Sequence, residues 1–452
     1  MIESRNPATG ALVYATEASE SAAVARAVER ARAASVRWAA EPVARRAEIV
    51  AQFAELVDRD RDVLAAAIVA EVGKRIGEAR GEVEWAALSA RWYAEHWPRE
   101  ERQGDALVRS RPLGVVATVT PWNAPLITPA WKWLPALVAG NVVVWKPSEL
   151  ATGAAVAALE RLREAGLPED VLQIVPGGPE TARVLCSHPE VAGVHFTGST
   201  RAGRAIAETV AGRFARCALE MGGLNVAVVF ADADLEQAAD CIAAAATAIN
   251  GQKCTATRRV LVQRELLDEL RSLLAARFES LVLGDPADPE TTLGPLIVPG
   301  AVAHAEGELE RALAAGATLV ARTPALSQNA LRHDTFFPAA VVTDVPAEDA
   351  LRQEELFAPV VTVEGFDGAD EAWRLANESR YGLSVAVYTA SSAMRAAACE
   401  RLATGILAFN RRGDAVDLEA PFGGVKDSGN GLVEGGTYAY AGLTSLQAVY
   451  GA

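Results

Sequence analysis

Five cysteines serve all 452 residues: Cys186, Cys217, Cys241, Cys254 and Cys399. They are odd in number, and no two form a CxxC pair, which argues against a disulfide framework or a cysteine zinc site. Histidine is as scarce, with five residues and no HxxxH or HExxH pattern, so no metal site is expected. No apolar run reaches the roughly 18 residues that a membrane span needs. The opening MIESRNPATGALVY lacks a cationic segment ahead of an apolar core, so no secretory leader is expected. Positive charge is also in deficit: 43 Lys and Arg face 58 Asp and Glu, a net charge of −15. That balance argues against a nucleic-acid partner, which needs clustered cations. Reduced thiols and high net charge are expected of a cytoplasmic protein with neither nucleic acid nor membrane as partner.

Half of the residues are hydrophobic, enough at this length for two or three cores, and no repeat period is visible. SESAAVARAVERARAASVRWAA and ARRAEIVAQFAELVDRDRDVLAAAIVAEVG space their apolar residues by three and four, the period of amphipathic helices. PREERQGDALVRSRPLG breaks that pattern as a linker or an excursion. From Val115 the period changes. GVVATV, NVVVW, VLQIV, GVHF and NVAVVF alternate with helical stretches, the mark of a parallel sheet covered on both faces. The alternation restarts at RRVLVQ, so a second α/β unit is expected, with a boundary near Gly222 and Gly223. TSLQAVYGA reads as an edge strand open to pairing.

Ligands bind beyond the carboxyl ends of such parallel strands, so residues just past these runs are the candidates for chemistry. Cys254 lies in GQKCTAT, after the helical DLEQAADCIAAAATAIN. A lone cysteine is most often a small buried hydrophobe. Asn250 and Gly251, however, take this one out of the helix, and Lys253 beside it can favour thiolate. Glu220 ends an apolar strand ahead of Gly222 and Gly223, where it can be a general base or merely an ion-paired carboxylate. Asn123 in TPWNAPL can donate to an oxyanion or sit in an ordinary turn. HFTGSTRAGRA offers Gly198, Ser199 and a helix N-terminus to phosphate, though it is not GxGxxG. VWKPSE puts Lys146, Ser148 and Glu149 at another strand end, where a carboxylate can bind a ribose diol.

Together these segments resemble the aldehyde dehydrogenase superfamily along nearly the whole chain. NPATG, TPWNAP, AWK, GNVVVWKPSE, FTGST, LEMGG, GQKCTA, EELFAPV, NESRYGLS and APFGGVKDSG occur in that order. The resemblance implies an aldehyde dehydrogenase-like α/β fold with a Rossmann-type cofactor domain, an α/β catalytic domain and a small oligomerisation arm. Carried onto this chain, these are residues 1–93 with 113–222, residues 223–439, and residues 94–112 with 440–452. It implies that Cys254 attacks an aldehyde, that Asn123 holds the oxyanion, and that Glu220 activates the water that hydrolyses a thioester. Relatives that release the acyl group to coenzyme A typically lack that glutamate, so hydrolytic release to the acid is expected. Lys132 and Glu434 match a proton-relay pair. Trp122, Lys146, Ser148, Glu149, Thr197, Gly198, Ser199, Met221, Gly222, Glu355 and Phe357 match cofactor positions for NAD, with NADP as the other option. A homodimer or homotetramer is implied, and no metal.

Several positions depart from the family pattern. Ala358 stands where glycine is usual, Leu224 where lysine is common, and no arginine precedes Glu434. Gly177 and Gly178 belong to a shortened glycine segment, and the chain begins close to NPATG. Ala124 replaces the usual phenylalanine after Asn123, which opens the tunnel to a bulky or aromatic aldehyde. Arg411 and Arg412, ahead of Phe422 in the loop resembling the family's aldehyde anchor, can instead pair with a semialdehyde carboxylate or be solvated charges. Cysteine-dependent ester hydrolysis without redox turnover and a non-catalytic binding role are the competing readings. The first needs no NAD, and the second predicts loss of Cys254, Glu220 or Asn123, all of which are present.

Overall fold

A computed structural model of the chain describes residues 1–328 and 330–451. Ala452, which the sequence assigned to the terminal arm, lies outside the described residues. The first element is one the sequence did not announce: a hairpin of Ile2–Arg5 and Leu12–Thr16, too short and too exposed to show a periodic pattern. Helices Ser21–Ala40, Val43–Arg59 and Arg61–Val72 follow, as their spacing predicts, and then Ile76–Glu95.

The first sheet has five parallel strands in the order Leu172–Ile174, Val142–Lys146, Val115–Val119, Val191–Thr197, Arg216–Glu220. VVATV and VVVWK are buried at every residue, because helices cover both faces and leave no solvent side for a polar alternation. Val115 and Val142 are the two strand starts at the centre. Trp133 and Trp145 fill the adjoining core, and the buried Trp145 Nε1 donates to Thr120 Oγ1 at 2.9 Å.

The second sheet has seven strands in the order Thr318–Arg322, Ala340–Thr343, Val360–Phe366, Thr257–Gln263, Asn225–Val229, Ser384–Tyr388, Ile406–Phe409. Only its first pair is antiparallel. One sheet ends at Glu220 and the other begins at Asn225, so Met221, Gly222, Gly223 and Leu224 are all that joins them. The stretch read as linker or excursion is a hairpin of Glu101–Gln103 and Ala106–Pro112, and Thr444–Tyr450 pairs along its outer side as an edge strand. Among the described residues no helix is long and apolar enough to cross a membrane.

Candidate active site

The helix Leu235–Thr247 is started by Asp234, whose carboxylate accepts from Gln237 N at 3.0 Å, and it runs straight toward the junction of the sheets. Its continuation is broken by three successive left-handed residues, Ile249 (φ 51°), Asn250 (φ 55°) and Gly251 (φ 75°). The buried Asn250 side chain holds this conformation. Its amide donates to Pro295 O at 3.0 Å and Gly73 O at 3.2 Å, and its oxygen accepts from Gly294 N at 2.7 Å. At Gly251 a Cβ would lie 2.3 Å from Pro359 N, so no other residue fits. Gln252 continues the anchoring by accepting from Ile297 N at 2.8 Å. The chain then delivers Cys254 just ahead of the strand Thr257–Gln263, where Asn225 Nδ2 donates to the Cys254 carbonyl at 2.7 Å.

Asn123 approaches from the other sheet. Its Nδ2 donates to Gln252 O at 2.9 Å, which orients the amide and leaves one N–H uncommitted. Asn123, Ala124, Thr197, Cys254, Phe422 and Glu434 all face one cavity of about 910 Å³. Trp131 meets Phe422 edge-to-face at 5.6 Å on the same wall. Lys253 does not serve Cys254 in the simple way its adjacency suggests. Its Nζ is held by Asp414, at 2.8 Å from the carboxylate and 2.9 Å from the carbonyl. Burial pushes the Cys254 thiol up to about 12, with Glu355 and Glu220 adding to the effect and Lys253 offsetting only part of it. The resting side chain is therefore a thiol at neutral pH.

Glu220 is 3% exposed, and its Oε2 has no partner among the described residues. Burial raises its carboxyl well above the ordinary carboxylate range, the charge of Glu434 raises it further, and Lys132 opposes both. Lys132 and Glu434 form a buried ion pair. Glu434 is set by reciprocal backbone bonds with Phe422, each 2.7 Å. Removing one member of such a pair leaves a buried charge uncompensated. Lys132→Met is expected to cost about 3–5 kcal/mol of stability, and Glu434→Gln in that background should recover most of it. Thermal unfolding of the three proteins checks this, and a Lys132→Met melting temperature equal to the parent's would contradict it.

Glu355 lies over the two glycines between the sheets. Its Oε1 accepts from Gly223 N at 3.2 Å, and a Cβ on Gly222 would sit 2.2 Å from Oε2. Burial raises its carboxyl to about 7, against the pull of Arg258 and the Gly223 N–H. Phe357 adopts φ 56° and meets Trp122 edge-to-face at 5.8 Å. Lys146, at the end of its strand, reaches Glu149 at 3.1 Å, and the buried Ser148 accepts from Leu150 N. Gly198 N donates to Glu220 O at 3.0 Å, while Ser199 caps helix Thr200–Ala211 by accepting from Ala202 N at 3.3 Å. Met221 is held to Ser428 O by its amide at 2.9 Å.

The family model for the aldehyde dehydrogenase family matches residues 1–449. The chain belongs to the aldehyde dehydrogenase family. This aldehyde dehydrogenase is 32% identical over 460 residues to the alpha-ketoglutaric semialdehyde dehydrogenase of Bacillus subtilis, covering 100% of this chain and 94% of that one. It is 38% identical over 434 residues to the NADP(+) succinate-semialdehyde dehydrogenase of Deinococcus radiodurans, covering 94% and 90%. Its fold superimposes on the crystal structure of an aldehyde dehydrogenase from Brucella melitensis with a TM-score of 0.93 and 32% identity, covering 99% of this chain and 93% of the other. It is an oxidoreductase that acts on aldehydes with NAD(P).

The residues that the sequence resemblance assigns to the cofactor offer groups that suit a dinucleotide. Ser199 spends one first-turn amide and leaves others open to phosphate, and the buried Thr197 Oγ1 has no partner among the described residues. Of the substrate residues expected from sequence, Ala124, Arg412 and Phe422 face the cavity, whereas Arg411 does not line it. Arg411 is exposed, and its carbonyl accepts from Tyr388 Oη at 3.1 Å. Sequence reasoning missed Asp414, Asn225 and Arg258. Asn225 carried a signal, a polar residue opening the apolar run NVAVV. Asp414 and Arg258 carried none, being charges within charged stretches.

Proposed function

We propose that Cys254 is the nucleophile of an aldehyde-to-acid oxidation, with Asn123 and Glu220 as its partners. The supporting observation is that Asn123 and Cys254 share one cavity while a buried Glu220 carboxyl, its Oε2 without a partner among the described residues, lies within electrostatic reach of the thiol. The Cys254 thiol gives its proton to solvent, the thiolate sulfur adds to the carbonyl carbon, and the C=O electron pair moves onto oxygen. The free Asn123 N–H and the Cys254 backbone N–H hold that oxyanion in the thiohemiacetal. NAD(P), when bound, would supply the acceptor for the hydride of the former carbonyl carbon. Collapse of the oxyanion then makes a thioester. Glu220 removes a proton from water as it attacks the thioester, the C–S bond breaks, and carboxylic acid and Cys254 thiolate result. Lys132 and Glu434 carry the proton from Glu220 away from the site. The raised carboxyl of Glu220 suits a group that must take a proton and give it up again.

On the cofactor side, Lys146, Ser148 and Glu149 address the adenosine ribose, Ser199 with Gly198 the pyrophosphate, and Glu355 with Phe357 the nicotinamide end. Trp122, Thr197, Met221 and Gly222 line the passage between. The Glu149 carboxylate repels a 2′-phosphate and favours NAD. Glu149→Gln is expected to lower the NAD to NADP ratio of kcat/KM about tenfold, the equivalent of roughly 1.4 kcal/mol of repulsion. An unchanged ratio would remove Glu149 from the ribose site. Residues 1–93 and 113–222 form the cofactor domain in this reading, 223–439 the catalytic domain, and the hairpin with the terminal strand the arm that joins subunits of a dimer or tetramer.

The decisive experiment is NAD(P)H formation across aliphatic, aromatic and ω-carboxylated aldehydes, with product analysis for the acid. Reduced cofactor and acid in equal amounts are expected. Failure of every aldehyde, or acyl release only to coenzyme A, would end this reading. Omitting NAD(P) while supplying an ester isolates the hydrolytic activity on its own.

A further inference from the structure

The charge of the substrate cavity runs against that of the whole chain. The protein carries a net −15, yet five cations and four carboxylates line this cavity. Two of the cations are closed off. Lys74 is buried against Glu82, whose other oxygen accepts from Leu126 N and Ile127 N, and Arg277 is held by Glu236 and Asp240. Glu434 is neutralised by Lys132 from behind the wall. Arg75, Lys253 and Arg412 remain, against Glu78 and Asp414.

Both of these carboxylates are spent. Asp414, its side chain 1% exposed, receives Lys253 at 2.8 Å and the Arg412 fork at 2.8 and 2.7 Å. Glu78 receives the Arg75 fork at 3.1 and 2.7 Å and Ile249 N at 2.8 Å. The donors are not spent. Lys253 uses two of its three N–H groups, and Nη1 of Arg75 and of Arg412 bonds to nothing among the described residues. Arg412 also feels the Glu78 carboxylate, so the two ion pairs form one patch. A patch with donors left over, each carboxylate already taking three hydrogen bonds, and one more cation than carboxylate recognises an acceptor-only anion and disfavours a cationic group. Ile127, Trp131, Leu281 and Val416 supply apolar wall beside it, suited to a carbon spacer.

We propose that Arg75, Lys253 and Arg412 form a carboxylate site in the wall of the Cys254 cavity, and that the substrate is an aldehyde bearing a distal carboxylate. The proposal rests on Cys254 being the nucleophile, because it assigns the far end of the molecule whose near end Cys254 attacks. The side chains of Arg75 and Arg412 are 25% and 44% exposed, so either can be changed without opening the core.

The test compares matched pairs: 4-carboxybenzaldehyde with methyl 4-formylbenzoate, and succinic semialdehyde with methyl 4-oxobutanoate. In the parent protein kcat/KM is expected to favour the acid by about ten- to a hundredfold, as a charge-assisted bond to a carboxylate supplies. Arg75→Met and Arg412→Met should each reduce that acid-to-ester ratio by about tenfold, chiefly through KM, with Arg→Lys at each position restoring part of it. A parent ratio near one, or variants that leave the ratio intact, overturns the carboxylate site while the nucleophile reading stands. If no aldehyde of any kind is oxidised, it is the nucleophile reading that falls. Equal loss of acid and ester turnover in the arginine variants marks them as structural and likewise overturns the site.

Discussion

Cys254→Ala is expected to abolish NAD(P)H formation from every aldehyde, by about 10⁴-fold or more, because a covalent mechanism has no substitute for its nucleophile. Folding should survive the change. Cys254 sits at a cavity wall, and its local backbone is held by Asn250, Gln252 and Asn225 rather than by its own sulfur. NAD(P) binding by the variant, measured by fluorescence quenching, should match the parent's. The high resting position of the thiol adds a second readout. Alkylation of Cys254 by iodoacetamide should be slow at neutral pH in the unliganded protein and accelerate as pH rises toward the thiol's pKa of about 12. Peptide-level mass spectrometry is needed for this, because Cys399 is exposed and also reacts. A Cys254→Ala protein that still reduces NAD(P) with an aldehyde would overthrow the mechanism.

Glu220→Gln is expected to separate the two halves of the reaction. Hydride transfer precedes the step that needs Glu220. The variant should therefore release about one equivalent of NAD(P)H per site in a burst and then turn over roughly 10² to 10⁴-fold more slowly. The trapped thioester should be visible as an acyl adduct in the intact mass. The pH dependence carries a sign. Glu220 titrates well above the usual carboxylate range, so in the parent the steady-state rate should climb with pH through that raised value, and the variant should lose this limb. Stability runs the other way. A carboxyl whose folded pKa is raised makes the fold pay an ionisation cost as pH moves from the ordinary carboxylate range up through the folded pKa. Glu220→Gln is therefore expected to melt no lower than the parent at pH 8, with the two proteins converging at low pH. A variant with undiminished steady-state rate and no burst would remove Glu220 from the hydrolytic step.

How much of this was legible before the structure depends on the kind of signal each residue left. Val115–Val119 and Val142–Lys146 were plain, because a strand buried on both faces writes itself as an unbroken apolar run. The hairpin of Ile2–Arg5 with Leu12–Thr16 was not, since four or five half-exposed residues carry too few alternations to be recognised. Cys254, Glu220 and Asn123 stood out through the order of the motifs around them, and Cys254 with Asn123 lies on a common cavity. Lys253 shows where local reading stops. Adjacency to Cys254 suggested a partner for the thiol, but the lysine turns to Asp414, 161 positions away, and only the folded loop reveals that choice. Arg411 and Arg412 look equivalent on paper. A bend at Asn410 (φ 51°) precedes them, and only Arg412 lines the cavity.

The three left-handed residues ahead of Cys254 have a consequence for how this protein can change over generations. Ile249, Asn250 and Gly251 tie the cysteine's mounting to Gly73, Gly294, Pro295 and Pro359, and none of those anchors belongs to the loop that carries Arg412. Substitutions at Arg412 and in residues 415–419, which spare the Asp414 that holds Lys253, can therefore remodel which aldehyde is admitted while the sulfur keeps its place. The reactive half is built as a fixture and the selective half as an interchangeable fitting, so new substrate ranges are reachable one loop mutation at a time.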